Sequence, residues 1–188
     1  SFEWDVPSLE EFENRMRDIM KKYPYLVIER DGKIEGYAYA HPFVGRAAYD
    51  WSSELTIYLD HDARKGGLGR RLYEELADRL KKMGILNLYA CIGYPQVEDE
   101  YLTKNSAEFH AHLGFELVGT FHNCGYKFDR WYDMVWMEKY IGKSVYKGTA
   151  IGPVSVLKKK DSLVKRIHID NTEEELKRLD AARERTMT

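Results

Sequence analysis

The sequence predicts a mixed α/β domain of the α+β kind, a central, mostly antiparallel twisted sheet flanked by helices. Three observations predict it. Strand-like runs outnumber helical ones and most follow one another directly. The dipeptide Asp31-Gly32 separates two such runs, and both of its positions suit the positive φ of a tight hairpin. One helical stretch, opened by a glycine turn, stands between the runs "SELTIYLD" and "ILNLYACI" and supplies a crossover.

Taken in order, "PSLEEFENRMRDIMKKY" reads as a first helix, with Ser8 and Glu11 as a capping box and Leu9, Phe12, Met16 and Ile19 on one face. "YLVIER" and "KIEGYAYA" are the hairpin strands, and "SELTIYLD" alternates like a third. After the glycine turn, Leu68, Leu72, Leu76 and Leu80 recur every four residues, and Gly84 is placed to stop that helix. "ILNLYACI" is nearly continuous in apolar residues, which predicts a central strand covered on both faces. A polar insertion, "YPQVEDEYLTK", precedes the short helix "NSAEFHAHLG". "FELVGTF" and "RWYDMVWMEKY" read as two further strands, and the aromatic belt Trp131, Tyr132 and Trp136 as core or dimer contact.

Composition excludes several classes. At 188 residues the chain can bury a core without metal or disulfide staples. It has only two cysteines, Cys91 and Cys124, without CxxC spacing, which predicts reduced thiols and a cytoplasmic setting. No metal site is expected: there is no HExxH, and His110 and His112 are two apart, pointing different ways on a helix. No run of 18 apolar residues or signal segment is present, although Ser1 in place of methionine points to a trimmed or rearranged start. Residues 142–188 carry 11 Lys/Arg against 7 Asp/Glu, too mild an excess for a nucleic-acid partner.

The glycine turn carries the first chemical signal. No GxxxxGK[ST] string occurs, and Leu72 stands where a dinucleotide fingerprint needs its third glycine. What remains is Arg64-Lys65-Gly66-Gly67-Leu68-Gly69-Arg70, an R-x-x-G-x-G run directly after a strand. Its glycines let successive N–H groups turn toward one anion, the helix N-terminus adds a positive dipole end, and Arg64, Lys65 and Arg70 add charge. Alone, the run is equally a linker between a strand and a basic helix.

The R-x-x-G-x-G turn after "TIYLD" resembles the acetyl-CoA pyrophosphate loop of the GNAT N-acetyltransferase superfamily. "YPYLVIERDGKIEGYAYAHPF", "GRAAYDWSSELTIYLD", "NSAEFHAHLGFELVGTF" and "GYKFDRWYDMVWME" together resemble its phosphinothricin and methionine sulfoximine acetyltransferases, over roughly residues 2 to 139. The resemblance implies acetyl-CoA as co-substrate, held at residues 64–70 and by the backbone of Ile57, Tyr58 and Leu59. It implies Glu54 as the base that takes the amine proton and His110 as the acid for the departing thiolate, both physically apt for acetyl transfer. Asn105 resembles a pantetheine contact, although it lies two positions nearer the histidine than usual, with Thr103 at the expected spacing. Arg46 matches a substrate carboxylate anchor, a task suited to two parallel hydrogen bonds; Phe2 and Tyr49 match aromatic pocket positions. Some relatives carry a histidine in the segment that reads "KFDR" here, and Phe128 cannot supply that group.

Three spans are expected: residues 1–141 as the acetyltransferase core without the family's usual first strand and helix, 142–164 as a linker, and 165–188 as a strand and capped helix completing the same domain. "AARERTMT" joined to "SFEWDVPS" resembles the family's run from first into second helix, which predicts a circular permutation; a domain-swapped dimer or an unrelated extension are the alternatives. The expected function is acetyl transfer to the α-amine of a small amino acid or analogue by direct attack, in a homodimer without membrane or nucleic-acid partners. Acetylation of a peptide or protein N-terminus, and acyl-CoA binding without turnover, are the alternatives.

Overall fold

The computed structural model describes residues 3–63, 66–142 and 164–169. In chain order these form α1 (Leu9–Met20), β1 (Tyr25–Arg30), β2 (Lys33–Pro42), β3 (Ser52–Leu59), α2 (Leu68–Lys82), β4 (Asn87–Tyr94), α3 (Asn105–His112), β5 (Glu116–Lys127), β6 (Arg130–Tyr140) and β7 (Val164–Ile169), with a 3-10 turn at Ala47–Tyr49. The strands make one sheet of order β5-β6-β4-β3-β2-β1-β7. Neighbours are antiparallel except β3 with β4 and β1 with β7. The mixed, mostly antiparallel sheet is therefore as expected, and the β3–α2–β4 crossover is its parallel step.

Side-chain period assigns the layers. α2 buries Leu68, Leu72, Leu76 and Leu80, each at most 1 % exposed, on the sheet face made by Leu26, Ile28, Ala38, Ala40, Leu55 and Leu88. Each such leucine is worth about 1.5–3 kcal/mol on burial. Gly84, at φ +91°, ends the run. α1 is a lighter cover on the opposite face, where Phe12 meets Tyr37 edge-on at 6.1 Å. It has no fully buried residue, and Leu9, expected on its inner face, is 74 % exposed. The Ser8 hydroxyl accepts from the Glu11 N–H, but the Glu11 carboxylate pairs with Arg15 instead of reaching back to the cap.

Two further expectations are corrected. β4 is not covered on both faces: Leu88, Ala90 and Ile92 are buried while Tyr89 and Cys91 are half-buried. Alternation wins because α2 and α3 pack on one side only, while on the other Phe43 stacks on Tyr89. β5 runs six residues past "FELVGTF", since the hairpin turns only at Phe128 and Asp129, both at φ +57°. The aromatic belt divides: Tyr132 is buried, Trp136 is half-buried, and Trp131 is exposed against Tyr126.

The strand expected in "VKRIHID" is β7, paired in parallel with β1 from Tyr25↔Val164 to Arg30↔Ile169. The helix expected after it, and the linker apart from its two ends, lie outside the described residues. No helix among the described residues is long and apolar enough to cross a membrane.

Candidate active site

The site begins where two parallel strands part. β3 and β4 pair only at Ser52↔Asn87, Ser53↔Leu88 and Glu54↔Tyr89, although β3 continues to Leu59 and β4 to Tyr94. On its other edge β3 stays paired with β2 from Gly36↔Leu59 to Pro42↔Ser53. Beyond Glu54 the β4-facing edge of β3 therefore has no ladder partner among the described residues. Backbone donors and acceptors at alternate positions of Thr56–Leu59 open into a wedge. Ile57, Tyr58 and Leu59, expected to grip a pantetheine arm, form that edge.

The wedge leads to the glycine turn. Gly67 is the N-cap of α2 at φ +69°, a left-handed conformation that a Cβ would strain, and no side chain caps the helix. The first N–H groups of an α-helix have no partner within it, and the first turn of α2 contains no acidic residue. A Cβ on Gly69 would stand 2.9 Å from Phe109 and 3.2 Å from Leu59. Its absence lets α2, α3 and the end of β3 close to contact distance. Gly66, Gly67, Leu68, Gly69 and Arg70 thus sit at the wedge's far end; Arg64 and Lys65 lie outside the described residues, as does Phe2.

Glu54 is the last residue before the strands diverge. Burial pushes its carboxyl above the usual glutamate range, and the neighbouring His41 opposes that shift. His110, on α3, is 2 % exposed. Its Nδ1 lies 2.6 Å from the Ser106 carbonyl and its Nε2 2.9 Å from the Tyr73 hydroxyl. A carbonyl only accepts, so Nδ1 carries the proton and Nε2 accepts from Tyr73. Burial lowers the His110 pKa, against the raising effect of the Ser106 bond, and favours the neutral ring. Burial raises Tyr73, with Glu54 adding to the shift, and keeps its phenol protonated. Tyr73 is the functional candidate missed in the sequence, because it lies inside the leucine run of α2 and reads as core. A signal did exist: a buried tyrosine hydroxyl needs a partner, and His110 is one. His112 points outward, as expected, with Nδ1 against the Glu108 carbonyl.

The remaining expected residues ring the other side. Tyr49 is edge-on to Phe43 at 6.4 Å, and Phe43 stacks at 4.1 Å on Tyr89, the ladder partner of Glu54. This places the 43–50 loop beside the parting strands. Arg46 is exposed at the start of the 3-10 turn in that loop, and Asn105 is exposed at the first position of α3. The insertion after β4 is tied down: Asp99 accepts from the N–H groups of Tyr101 and Leu102 and from Tyr132 and Arg130. Burial works the other way, but these donors hold its carboxyl at about 2. A surface cavity of about 370 Å³ on the flank of α2 reaches Leu55, Tyr73 and Arg70 but not Glu54 or the glycines of the turn. The wedge, which offers directed backbone groups, is the better seat for a polar acyl donor than this cavity.

The chain belongs to the GNAT acetyltransferases: residues 1–136 match the acetyltransferase (GNAT) domain family. It is thus an N-acetyltransferase by family. It is 33 % identical over 134 residues to the phosphinothricin N-acetyltransferase of Streptomyces viridochromogenes, covering 71 % of this chain and 69 % of that one. It is 32 % identical over 117 residues to the L-methionine sulfoximine/L-methionine sulfone acetyltransferase of Salmonella typhimurium, covering 62 % and 64 %. Among solved structures, the phosphinothricin acetyltransferase of Sinorhizobium meliloti in complex with AcCoA aligns with TM-score 0.73 and 32 % identity, over 82 % of this chain and 81 % of that one. The ribosomal-protein-alanine N-acetyltransferase of Brucella melitensis aligns with TM-score 0.64 and 34 % identity, over 75 % and 83 %.

Proposed function

We propose that the protein transfers acetyl from acetyl-CoA to the α-amine of a small amino acid or analogue of the phosphinothricin or methionine sulfoximine type, by direct attack. The observation that carries this is the parting of β3 and β4 immediately after Glu54. An extended thioester arm adds to the open edge at Ile57–Leu59, and the glycine turn at 66–70 receives its pyrophosphate. A backbone N–H of that edge polarises the thioester carbonyl from a position fixed before reaction. Glu54, with its raised pKa, takes the proton of the substrate ammonium. His110 supplies the proton for the departing thiolate through Tyr73: the imidazolium Nε2–H bond breaks as the Tyr73 hydroxyl takes that proton and passes its own to sulfur, leaving the ring neutral and the phenol intact. Arg46 anchors the substrate carboxylate, beside the ring of Tyr49.

The likeness to a ribosomal-protein-alanine acetyltransferase favours one other reading, a protein N-terminus as acceptor. A thiol-release assay with acetyl-CoA separates the two. Phosphinothricin and methionine sulfoximine should release thiol and an alanine-initiated peptide should not, with Arg46→Ala raising KM for the free amino acid. Turnover of the peptide alone contradicts the small-substrate reading, and no turnover with any amine contradicts catalysis.

A further inference from the structure

His41 lies directly across the β2–β3 ladder from Glu54, on the same face of the sheet, with Nε2 3.8 Å from Glu54 Oε1. The backbone holds this juxtaposition: the neighbouring Ser53 hydroxyl, itself buried, donates to the His41 carbonyl at 2.8 Å. His41 Nδ1 lies 3.2 Å from the Pro42 carbonyl. Since that carbonyl only accepts, Nδ1 carries a proton toward it, and in the imidazolium Nε2 directs its own N–H at Glu54. The 3.8 Å gap exceeds a direct hydrogen bond and is closed by one water or a small rotation. The His41 side chain is 30 % exposed and that of Glu54 20 %, so both groups reach solvent.

We propose that His41 is the positioning partner of Glu54: in its imidazolium form Nε2–H faces the carboxylate and keeps it ionised until the amine binds. This rests on Glu54 acting as the base. The ammonium N–H bond breaks as Glu54 gains the proton, and the carboxylic acid then releases it to water. The other groups around Glu54 do not serve. Burial raises Tyr73, from α2, and raises Cys91, from β4, to about 11, so both stay protonated. Tyr89, also from β4, is the ladder partner of Glu54, and Tyr39 sets its ring 6.1 Å from His41. Of these only His41 can carry a positive charge.

The test follows the Glu54 carboxyl by ¹³C NMR, and kcat/KM against pH, in the wild type, His41→Asn and Glu54→Gln. Asparagine at 41 should lift the Glu54 titration and the acid limb of kcat/KM together, by on the order of one pH unit. Acetylation on that limb then falls up to about tenfold while the alkaline plateau is retained. A plateau that drops with the limb in place marks a merely structural His41 and overturns the proposal, as does a limb and a carboxyl titration that both stay put. Failure of the base reading looks different: Glu54→Gln then acetylates at the wild-type rate, and the role of His41 falls with it.

Discussion

Glu54 pays for its chemistry in stability. Burial raises its folded-state pKa above the unfolded value, so the stabilisation is full below the unfolded pKa and is lost as pH rises through the folded one. Above that window the fold holds a carboxylate it disfavours. Glu54→Gln should therefore raise the urea midpoint at pH 8 relative to pH 4.5 while lowering the acetylation rate by about 10²-fold or more; an unchanged rate removes Glu54 from the reaction. The residues around it differ in how legible they were. Glu54 and His110 stand in quotable strings. Tyr73 and His41 do not, because each takes its meaning from a partner: Tyr73 from His110, 37 positions away, and His41 from a ladder register that no local pattern specifies.

Elements with strong local physics were read well. The leucine spacing of α2, the Asp31-Gly32 turn and the stop at Gly84 are each decided by a few neighbouring residues. The length of β5 was underread, because Phe128 and Asp129 form a tight turn without glycine. The parting of β3 from β4 was not legible: both strands keep the same alternation before and after Glu54, and only their mutual distance changes. At the glycine turn the left-handed Gly67 is the point of leverage. Gly67→Ala costs about 1–2 kcal/mol for the positive φ and tilts the first N–H groups of α2. It should raise KM for acetyl-CoA several-fold with kcat little changed, as for a group that binds ground and transition states alike. A fall in kcat at constant KM would move the turn out of donor binding.

Across the whole molecule, one crossover and one divergent strand pair define where chemistry is possible. α2 and α3 close one side of the sheet, and α1 and the 43–50 loop lie over the other. β7 extends the sheet by one strand beside β1, with Ile167 packed against the core. We propose that residues 165–188 complete this same domain. The central claim is that the acyl donor enters between β3 and β4, and a crystal structure with coenzyme A bound tests it most directly. The account predicts the pantetheine arm along Ile57–Leu59, its sulfur beside Glu54 and Tyr73, and the pyrophosphate on the N–H groups of 66–70. Coenzyme A lodged instead in the cavity on the flank of α2, with the β3 edge open to water, would contradict it.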